Sequence, residues 1–555
     1  MSHYVIGIDF GTLSGRGVLC DVSDGSPVCS AVYDYPHGVL CETLADTSVR
    51  LPANYSLQVP SDYIDVLKHV VPELLSVSGV RAGDIIGIGV DFTSCTVLPV
   101  YSDGTPLCED SRFANRPHSY VKLWKHHSAQ QFACKTNYIF NSYDPSILRS
   151  YGGKVSSEWI IPKVWEIYAE DKEIYDAADY FIEGGDWIVW RMCGRQVRNS
   201  CAAGYKALWN AERGYLPRNI LSLLDPGLSD LFDIKMNAPV LSPGTCAGGL
   251  TEEFAGWIGL IPGTPVSVAV VDGHAMVAGS GISRPGSMLQ IMGTSSNQMI
   301  VSDRLIDIPG ICGIVKDGMI PGYYGYEAGQ AGFGDHYAWF MDNLLPYKYK
   351  VEAKNEGSSD FEYLSSLASK LSPGGSGLIA LDWWNGNRSI LSDSDLSGLI
   401  LGMTLGTRPE EIFRAIVEAT AFGTKTIVDN YEKHGITADR IVAAGGVAEK
   451  SPFIMQIFSD ILDRKITVPS APYAAARGAA IFASLAAGKK NGGWDNAEEA
   501  ISNMTDQAGK TYYPDKENAA IYKKLYALYV RLHDEFGRQG GTGYDVMKEI
   551  KKIKN

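Results

Sequence analysis

The segment 266–275 restricts the possible folds of this chain more than any other. Its first six residues are apolar or small and rich in valine, which predicts a strand buried on both faces. Asp272 and Gly273 follow, and the compact segment 275–282 after them favours a helix. Asp272 is therefore predicted at a strand-to-helix junction, where ligands bind in open α/β sheets. A helix-capping Asp would give the same pattern.

Composition describes a well-cored globular protein. The 555 residues are 45% hydrophobic and 20% charged, and this length predicts two to four domains. A formal net charge of -14 argues against a nucleic-acid or anionic-membrane partner, whereas a small anion such as a nucleotide can still be neutralised locally. Glycine and proline accumulate at 247–263, which predicts two domains, 1–257 and 258–555.

The cysteines and the apolar runs indicate the compartment. The ten cysteines lie between Cys20 and Cys312 without a C-x-x-C pair, which fits neither a zinc site nor a dense disulfide framework. No apolar run approaches the roughly 20 residues that span a bilayer, and the N-terminus enters a strand without a signal-like core. We expect a cytoplasmic protein with no membrane partner.

A first strand, 4–10, carries a second acidic junction. Asp9 lies near its end, and Gly11 and Thr12 follow. Glycine lets a backbone amide approach an anion closely, the threonine hydroxyl adds a donor, and the carboxylate can hold a hydrated magnesium ion. A β-turn with a capping Asp is the alternative interpretation.

The second half repeats this pattern. A strand that begins near residue 287 ends in Gly293 and Thr294, so each half has one strand followed by Gly-Thr. Two such turns would clamp the phosphates of a nucleotide between duplicated domains. Gly445 and Gly446 end a later strand, where a flat aromatic ring can approach because no β-carbon intervenes; a plain left-handed turn is the alternative.

Other polar residues are candidates with open interpretations. Ser94 follows the apolar strand that begins at Ile85. Lys206 stands among small neutral residues, and a sugar-oxygen donor and an exposed loop charge are equally compatible with it. Glu327 precedes a glycine and a predicted helix, so it is either a ligand contact or a helix-start Glu favoured by the helix dipole.

A histidine pair lies in the segment 121–127, which is predicted to be a helix. His126 and His127 are adjacent in sequence, and neighbours at that spacing point apart on a helix. A metal site is therefore not expected there, and solvated helix residues are the preferred interpretation.

Taken in order, these motifs resemble the FGGY carbohydrate kinases. The motifs are Asp9-Phe10-Gly11-Thr12, Asp272-Gly273-His274, Gly293-Thr294 and Gly445-Gly446. That family belongs to the sugar kinase, Hsp70 and actin superfamily, so the resemblance implies an α/β fold of two ribonuclease-H-like domains that flank a catalytic cleft. Longer strings resemble the members that act on L-ribulose: Asn115-Arg116-Pro117-His118, Lys122-Leu123-Trp124-Lys125-His126-His127, Gly185-Asp186-Trp187-Ile188 and Cys201-Ala202-Ala203-Gly204-Tyr205-Lys206.

The resemblance implies a reaction and a role for each candidate. The reaction is transfer of the ATP γ-phosphoryl group to the C5 hydroxyl of L-ribulose, in arabinose catabolism, with Mg²⁺ as the metal ion and Asp272 as the general base. The implied sugar contacts are Ser94, Lys206, Asp272 and Glu327. The implied nucleotide contacts are Gly11, Thr12, Gly293, Thr294, Gly445 and Gly446, and the implied magnesium ligands are Asp9 and Asp272.

The sequence departs from the family pattern at two positions, and two other functions remain as alternatives. Ser451 stands where the family often has Asn, and Arg477 stands where an apolar residue is common. Another FGGY kinase acting on a different ketopentose or polyol is one alternative, and an ATP-switched scaffold in the manner of actin or Hsp70 is the other. A homodimer is compatible with either.

Overall fold

The structure is a computed structural model that describes residues 2–506 and 508–554. The strands of the first half are β1 (Tyr4–Phe10), β2 (Ser14–Asp21), β3 (Pro27–Asp34), β4 (Leu57–Gln58), β5 (Ile85–Phe92), β6 (Val97–Val100), β7 (Val121–Lys122), β8 (Tyr180–Glu183), β9 (Arg198–Asn199), β10 (Val240–Leu241), β11 (Cys246–Gly249), β12 (Pro265–Ser267) and β13 (Val270–Val271). The helices of the first half are α1 (Ser61–Ser78), α2 (Gln130–Tyr143), α3 (Ile160–Glu170), α4 (Lys172–Ala177), α5 (Gly184–Cys193), α6 (Ser200–Ala207), α7 (Arg218–Leu221) and α8 (Glu252–Ile258).

The second half has its own set of elements. Its strands are β14 (Ser287–Met292), β15 (Ser296–Ser302), β16 (Gly313–Lys316), β17 (Tyr324–Gln330), β18 (Ile379–Leu381), β19 (Leu399–Leu401), β20 (Arg440–Ala444), β21 (Ile466–Pro469) and β22 (Gly509–Tyr512). Its helices are α9 (Asp272–Gly279), α10 (Gly334–Asn343), α11 (Tyr347–Asn355), α12 (Asp360–Ser369), α13 (Pro409–Lys433), α14 (Gly446–Lys450), α15 (Pro452–Leu462), α16 (Ala474–Ala487), α17 (Ala497–Met504), α18 (Lys516–Gly537) and α19 (Tyr544–Lys554). Short 3₁₀ helices are Ala82–Asp84, Leu107–Glu109, Pro117–Ser119, Pro145–Tyr151, Pro226–Leu228 and Lys489–Asn491.

The two main sheets share one topology. In the first, β1, β2 and β3 are antiparallel neighbours, and β5 runs parallel to β1 with β12 and β13 parallel to β5. In the second, β14, β15 and β17 are antiparallel neighbours, and β20 and β21 follow β14 in parallel. This duplicated mixed sheet, with helices packed on it, confirms the predicted α/β fold of two ribonuclease-H-like domains.

Burial explains why the apolar runs become central strands. β5 is buried at every position, as a strand covered on both faces requires. One hydrophobic core lies within each half, and a third contains residues of both, such as Val5 and Leu289. A smaller sheet of order β4-β7-β6-β8 lies within the first half, and a further core forms beside it around α2 and α3.

Helix α16 of the second half packs on β1 and β5 of the first sheet through small residues. A β-carbon at Gly7 of β1 would lie 1.8 Å from the carbonyl oxygen of Ala476, and one at Gly89 of β5 would lie 2.1 Å from that of Ala479. The contact between halves therefore depends on backbone surfaces that approach without side chains between them.

The proposed division between residues 257 and 258 remains a prediction. Pro265–Ser267 and Val270–Val271 pair with β5, so membership of the first sheet continues to residue 271. The helix expected over 121–127 is wrong: Val121–Lys122 is a strand, and the next helix begins at Gln130. Within the described parts of the chain, no helix combines the length and apolar character that a membrane crossing requires.

Candidate active site

Three carboxyl groups meet at the ends of neighbouring strands of the first sheet. Asp9 of β1 lies beside Asp91 of β5 in the parallel register, and Asp272 follows Val271, which pairs with Phe92. The expected strand-to-helix junction is present, because Asp272 is the first residue of α9. The amide of Gly273 donates a hydrogen bond of 2.6 Å to the Asp272 carboxylate.

Burial dominates the electrostatics of this acidic group. It raises the pKa of Asp9, Asp91 and Asp272, and for Asp272, where the negative charge of Asp9 adds to the effect, the pKa reaches about 7. Both carboxyl oxygens of Asp91 are buried, and the neighbouring carboxyl group of Asp9 is its side-chain partner. The Arg16 guanidinium lies 3.9 Å from Asp9, at the limit of an ion pair. The protein itself therefore does little to stabilise the ionised forms of these three carboxyl groups.

The donor chemistry of this group fits a magnesium ion. Mg²⁺ prefers oxygen ligands and typically takes one or two carboxylates, with water and phosphate oxygens completing its shell. Asp9 and Asp272 supply such carboxylates, and the buried carboxyl group of Asp91 lies beside that of Asp9. In residues 2–506 and 508–554, no three His, Cys, Asp or Glu side chains are arranged to hold a metal by themselves.

Each half places its Gly-Thr turn directly after the first strand of its sheet. The Gly11 amide donates to the Ser14 carbonyl at 3.0 Å, and the Thr12 hydroxyl accepts from the indole of Trp124 at 3.1 Å. In the second half, the Gly293 carbonyl accepts from the first residue of α10, and Thr294 is exposed. Both turns are structurally defined and occupy equivalent positions in the duplicated sheets.

The double glycine lies at the end of β20 and beginning of α14. Gly445 has φ of 101°, and a β-carbon there would lie 2.8 Å from the Met292 carbonyl oxygen, so this position requires glycine. A β-carbon at Gly446 would meet no atom within 4 Å. Gly445 thus shapes the turn, and Gly446 borders open space.

The two departures from the family pattern both have structural roles. The Ser451 hydroxyl caps α15 by accepting from the Ile454 amide at 3.4 Å. Arg477 is buried in α16 and donates to the Met504 carbonyl at 3.3 Å. Burial lowers the pKa of this guanidinium.

Lys206 and Glu327 meet between the halves. Lys206 is buried on α6 and Glu327 on β17, so neither the loop charge nor the helix-start Glu considered above is present. Lys206 Nζ lies 3.4 Å from Glu327 Oε2. The other oxygen of Glu327 accepts from Arg388 Nη2 at 2.9 Å, and His274 Nε2 lies 3.5 Å from Oε2.

Ser94 lies in a loop that a buried lysine supports. Ser94 follows β5, and its neighbour Cys95 has φ of 56°. Lys163 Nζ donates to the carbonyl of Cys95 at 2.5 Å and to that of Leu123 at 2.8 Å. Because Leu123 precedes Trp124, one buried ammonium ties the Ser94 loop to the segment that contacts Thr12.

Sequence reasoning missed a buried ionic cluster behind this loop. Lys122, His126 and Glu166 are completely buried, and Glu166 Oε2 lies 2.8 Å from Lys122 Nζ and 3.0 Å from His126 Nε2. His126 is therefore a core residue rather than a solvated one, whereas His127 beside it is exposed, as expected. Arg388 was missed as well. Its only sequence signal is the triplet Asn387-Arg388-Ser389, which resembles a glycosylation acceptor.

Comparisons with known proteins agree with this architecture. A family model described as "FGGY family of carbohydrate kinases, C-terminal domain" matches residues 288–487. Solved structures with the same fold include a xylulose kinase from Rhodospirillum rubrum, with a TM-score of 0.78 and 22% identity over 96% of this chain and 99% of that one. The Plasmodium falciparum glycerol kinase with ADP gives a TM-score of 0.75 and 18% identity over 96% and 98%.

Relatives found by sequence are more similar to this chain than these solved structures are, and they align over nearly its whole length. A protein from Bacillus licheniformis named Ribulokinase is 49% identical over 543 residues, which are 98% of each chain. A Ribulokinase from Mycolicibacterium smegmatis is 44% identical over 96% of this chain and 94% of its own. The chain therefore belongs to the FGGY family of carbohydrate kinases and is an ATP-dependent sugar kinase.

Proposed function

We propose that the protein transfers the γ-phosphoryl group of MgATP to the C5 hydroxyl of L-ribulose, giving L-ribulose 5-phosphate for arabinose catabolism. The observation that carries the proposal is the position of Asp272. Asp272 follows the strand that pairs beside Asp91, the register neighbour of Asp9, and His274, two residues later on α9, lies 3.5 Å from Glu327 Oε2. A base in this position stands between a group suited to magnesium and a pair suited to sugar hydroxyls. The name Ribulokinase, carried by relatives that align over nearly their whole length, supports ribulose as the sugar.

Asp272 would act as the general base. A carboxylate whose pKa is raised to about 7 by burial and by Asp9 accepts a proton more readily than an ordinary aspartate. It would take the proton of the C5 hydroxyl as the oxygen attacks the γ-phosphorus and the bond to ADP breaks. Phosphoryl transfer needs little more from the protein than alignment and charge neutralisation, because its transition state is loose.

The remaining candidates would align the two substrates. Lys206 would donate to a sugar oxygen, and Glu327 would accept from a sugar hydroxyl, with Ser94 bordering the same site. Asp9 and Asp272 would hold the magnesium ion, which, when bound, neutralises charge on the phosphates.

The nucleotide would be held by both halves. The phosphates would be contacted by the two Gly-Thr turns, which consist of Gly11 and Thr12 in the first half and Gly293 and Thr294 in the second. Gly445 and Gly446 would lie against the adenine ring, where the open space beside Gly446 leaves room for it. The proposed domains, 1–257 and 258–555, would then close over the substrates and limit ATP hydrolysis by water.

Steady-state kinetics across a panel of sugars test this proposal. MgATP-dependent ADP release is measured with L-ribulose, D-ribulose, both xyluloses, ribitol and glycerol, and kcat/KM is compared. The proposal predicts the highest kcat/KM for L-ribulose. A higher value for another sugar or polyol would contradict the substrate assignment and retain the kinase chemistry. Folded protein that no sugar stimulates would contradict the activity itself.

A further inference from the structure

Glu327 is surrounded by more positive charge than one carboxylate needs. It is 3% exposed, and its neighbours are Lys206, Arg388 and His274. Burial alone would raise the pKa of Glu327, but the charges of Lys206 and Arg388, together with His274, hold it well below its ordinary value. The carboxylate is therefore ionised, and two cations rather than one maintain it in that state.

The two cations contact different oxygens of Glu327. Arg388 Nη2 donates to Oε1 at 2.9 Å, a normal charge-assisted hydrogen bond. Lys206 Nζ lies 3.4 Å from Oε2, at the long end of hydrogen bonding. An ammonium has three donors, so Lys206 is not saturated by this contact. Arg388 thus supplies the short contact and leaves Lys206 with donors for another oxygen.

Arg388 is itself held in place. Its second arm, Nη1, donates to Asn297 Oδ1 at 3.2 Å on the neighbouring strand β15. The next residue, Ser389, accepts from the Gly329 amide of β17 at 3.2 Å. Because its two arms contact two different partners, the planar guanidinium has a fixed orientation, and it holds one oxygen of Glu327 in place in a way that the mobile point charge of a lysine cannot.

We propose that Arg388 is a positioning residue for the sugar: it fixes the Glu327 carboxylate through Oε1, so that Glu327 Oε2 and Lys206 Nζ remain directed at the substrate. This inference rests on the proposed sugar-binding role of Lys206 and Glu327. It assigns no contact between Arg388 and the reacting atoms.

The test is a comparison of the two Michaelis constants in an Arg388→Gln variant. Loss of one charge-assisted hydrogen bond to Glu327 predicts a rise of about 10- to 100-fold in the KM for L-ribulose. The KM for MgATP is expected to stay within about twofold, because the proposed nucleotide contacts lie elsewhere. In a Glu327→Gln background, the same substitution is expected to change the KM for L-ribulose by less than about threefold, since its target is already neutral.

Arg304→Gln is the matched control. Arg304 lies just after β15 in the same half, its side chain is 67% exposed, and its nearest carboxylate, that of Asp303, is 3.7 Å away. It is expected to leave both Michaelis constants unchanged. Should Arg388→Gln fail to fold, Arg388→Lys is measured instead. An intermediate rise in the KM for L-ribulose is expected, because lysine keeps the positive charge but lacks the two-armed guanidinium group.

Chemical rescue separates a positioning role from a purely structural one. Arg388→Ala is assayed with guanidinium chloride at concentrations that leave the wild type active, with sodium chloride at matched ionic strength as the comparison. Guanidinium is expected to lower the KM for L-ribulose of Arg388→Ala, whereas sodium chloride is not.

Two results would overturn the inference. One is a folded Arg388→Gln variant whose KM for L-ribulose stays within about twofold of the wild-type value. The other is a parallel rise in the KM for MgATP, which indicates general disturbance of the site. If the wild type itself prefers another sugar, the proposed substrate is wrong, and the Arg388 measurements are made with that preferred sugar.

Discussion

Lys206 and Glu327 join the two halves of the protein, since Nζ and Oε2 lie 3.4 Å apart although 121 residues separate them in the chain. Lys206 belongs to α6 of the first half, and Glu327 belongs to β17 of the second. Both are buried, so their interaction is weakly screened by solvent. The proposed sugar site therefore exists only when the halves are correctly placed relative to each other.

A double-mutant cycle on this pair is expected to be strongly non-additive. Lys206→Met and Glu327→Gln should each raise the KM for L-ribulose, by about 10- to 100-fold, because each leaves a buried charged partner incompletely compensated. The double variant should be less impaired than the product of the single effects. Steady-state kinetics of the four proteins measure this, and strictly multiplicative effects would show that the pair does not act as a unit.

Asp272→Asn is expected to remove catalysis without removing structure. The amide is nearly isosteric but cannot accept the hydroxyl proton, so kcat should fall by about 10²- to 10⁴-fold, the usual contribution of a general base. ATP binding, measured by calorimetry, and the thermal unfolding midpoint should change little. A folded variant with near-native kcat would exclude Asp272 as the base.

Thr12→Val tests whether the first Gly-Thr turn binds phosphate. The substitution removes a hydroxyl and keeps the shape, so the KM for MgATP should rise by about tenfold while that for L-ribulose stays nearly constant. Trp124→Phe is the control, because it deletes the indole donor to Thr12 and leaves the hydroxyl in place. Unchanged nucleotide kinetics in Thr12→Val would make this turn purely structural.

Gly446→Ala separates stability from nucleotide binding. The added methyl group meets no protein atom within 4 Å, so the thermal midpoint should stay within about 1–2 °C of the wild type. If adenine lies against this glycine, the methyl group should raise the KM for MgATP several-fold. Gly445→Ala, at φ of 101°, should instead destabilise the protein. Gly446→Ala with a native KM for MgATP would place the ring elsewhere.

The Lys122–His126–Glu166 cluster predicts a pH-dependent contribution to stability. Burial opposes ionisation of Glu166, but Lys122 and His126 outweigh it and lower its pKa below the ordinary value. A depressed carboxyl pKa contributes stability that is present above the unfolded-state value of about 4.3 and is lost as the pH falls through the folded-state pKa.

Unfolding of Glu166→Gln, followed from pH 7 down to pH 3, tests this contribution. The variant should be destabilised at pH 7 by about 3–5 kcal/mol, because Lys122 then lacks its buried partner, and the difference from the wild type should narrow on acidification. Glu173→Gln is the control, since that side chain is 69% exposed. A destabilisation that is the same at pH 7 and pH 3 would contradict the assigned ionisation.

The sequence predicted those features of the candidate site that depend on a few consecutive residues. Asp272 follows an apolar run, and the structure places it where such a run must end, at the start of α9. The double glycine at 445–446 was recognisable because the backbone at Gly445 has a positive φ that other residues rarely adopt. The duplication of the sheets was visible as two strands that each end in Gly-Thr. These features depend on a few consecutive residues.

Features that depend on distant partners were not predictable in this way. The segment 121–127 has too few residues to distinguish a helix from a strand by periodicity. The buried position of His126 depends on its contact with Glu166, which lies 40 positions later in the chain, on α3. Arg388 lies in an irregular segment between β18 and β19, and its partner Glu327 is 61 positions earlier. No pattern within either segment indicates these contacts.

The position of phosphorylation tests the central claim most directly. Purified protein is incubated with L-ribulose and MgATP, and the product is examined by two-dimensional ¹H–³¹P correlation NMR, with Asp272→Asn as the parallel reaction. We predict one phosphomonoester signal coupled to the two C5 protons in the wild-type reaction, and almost none in the variant reaction. Coupling to the C1 protons, or no phosphorylated sugar from folded wild-type protein, would contradict the account.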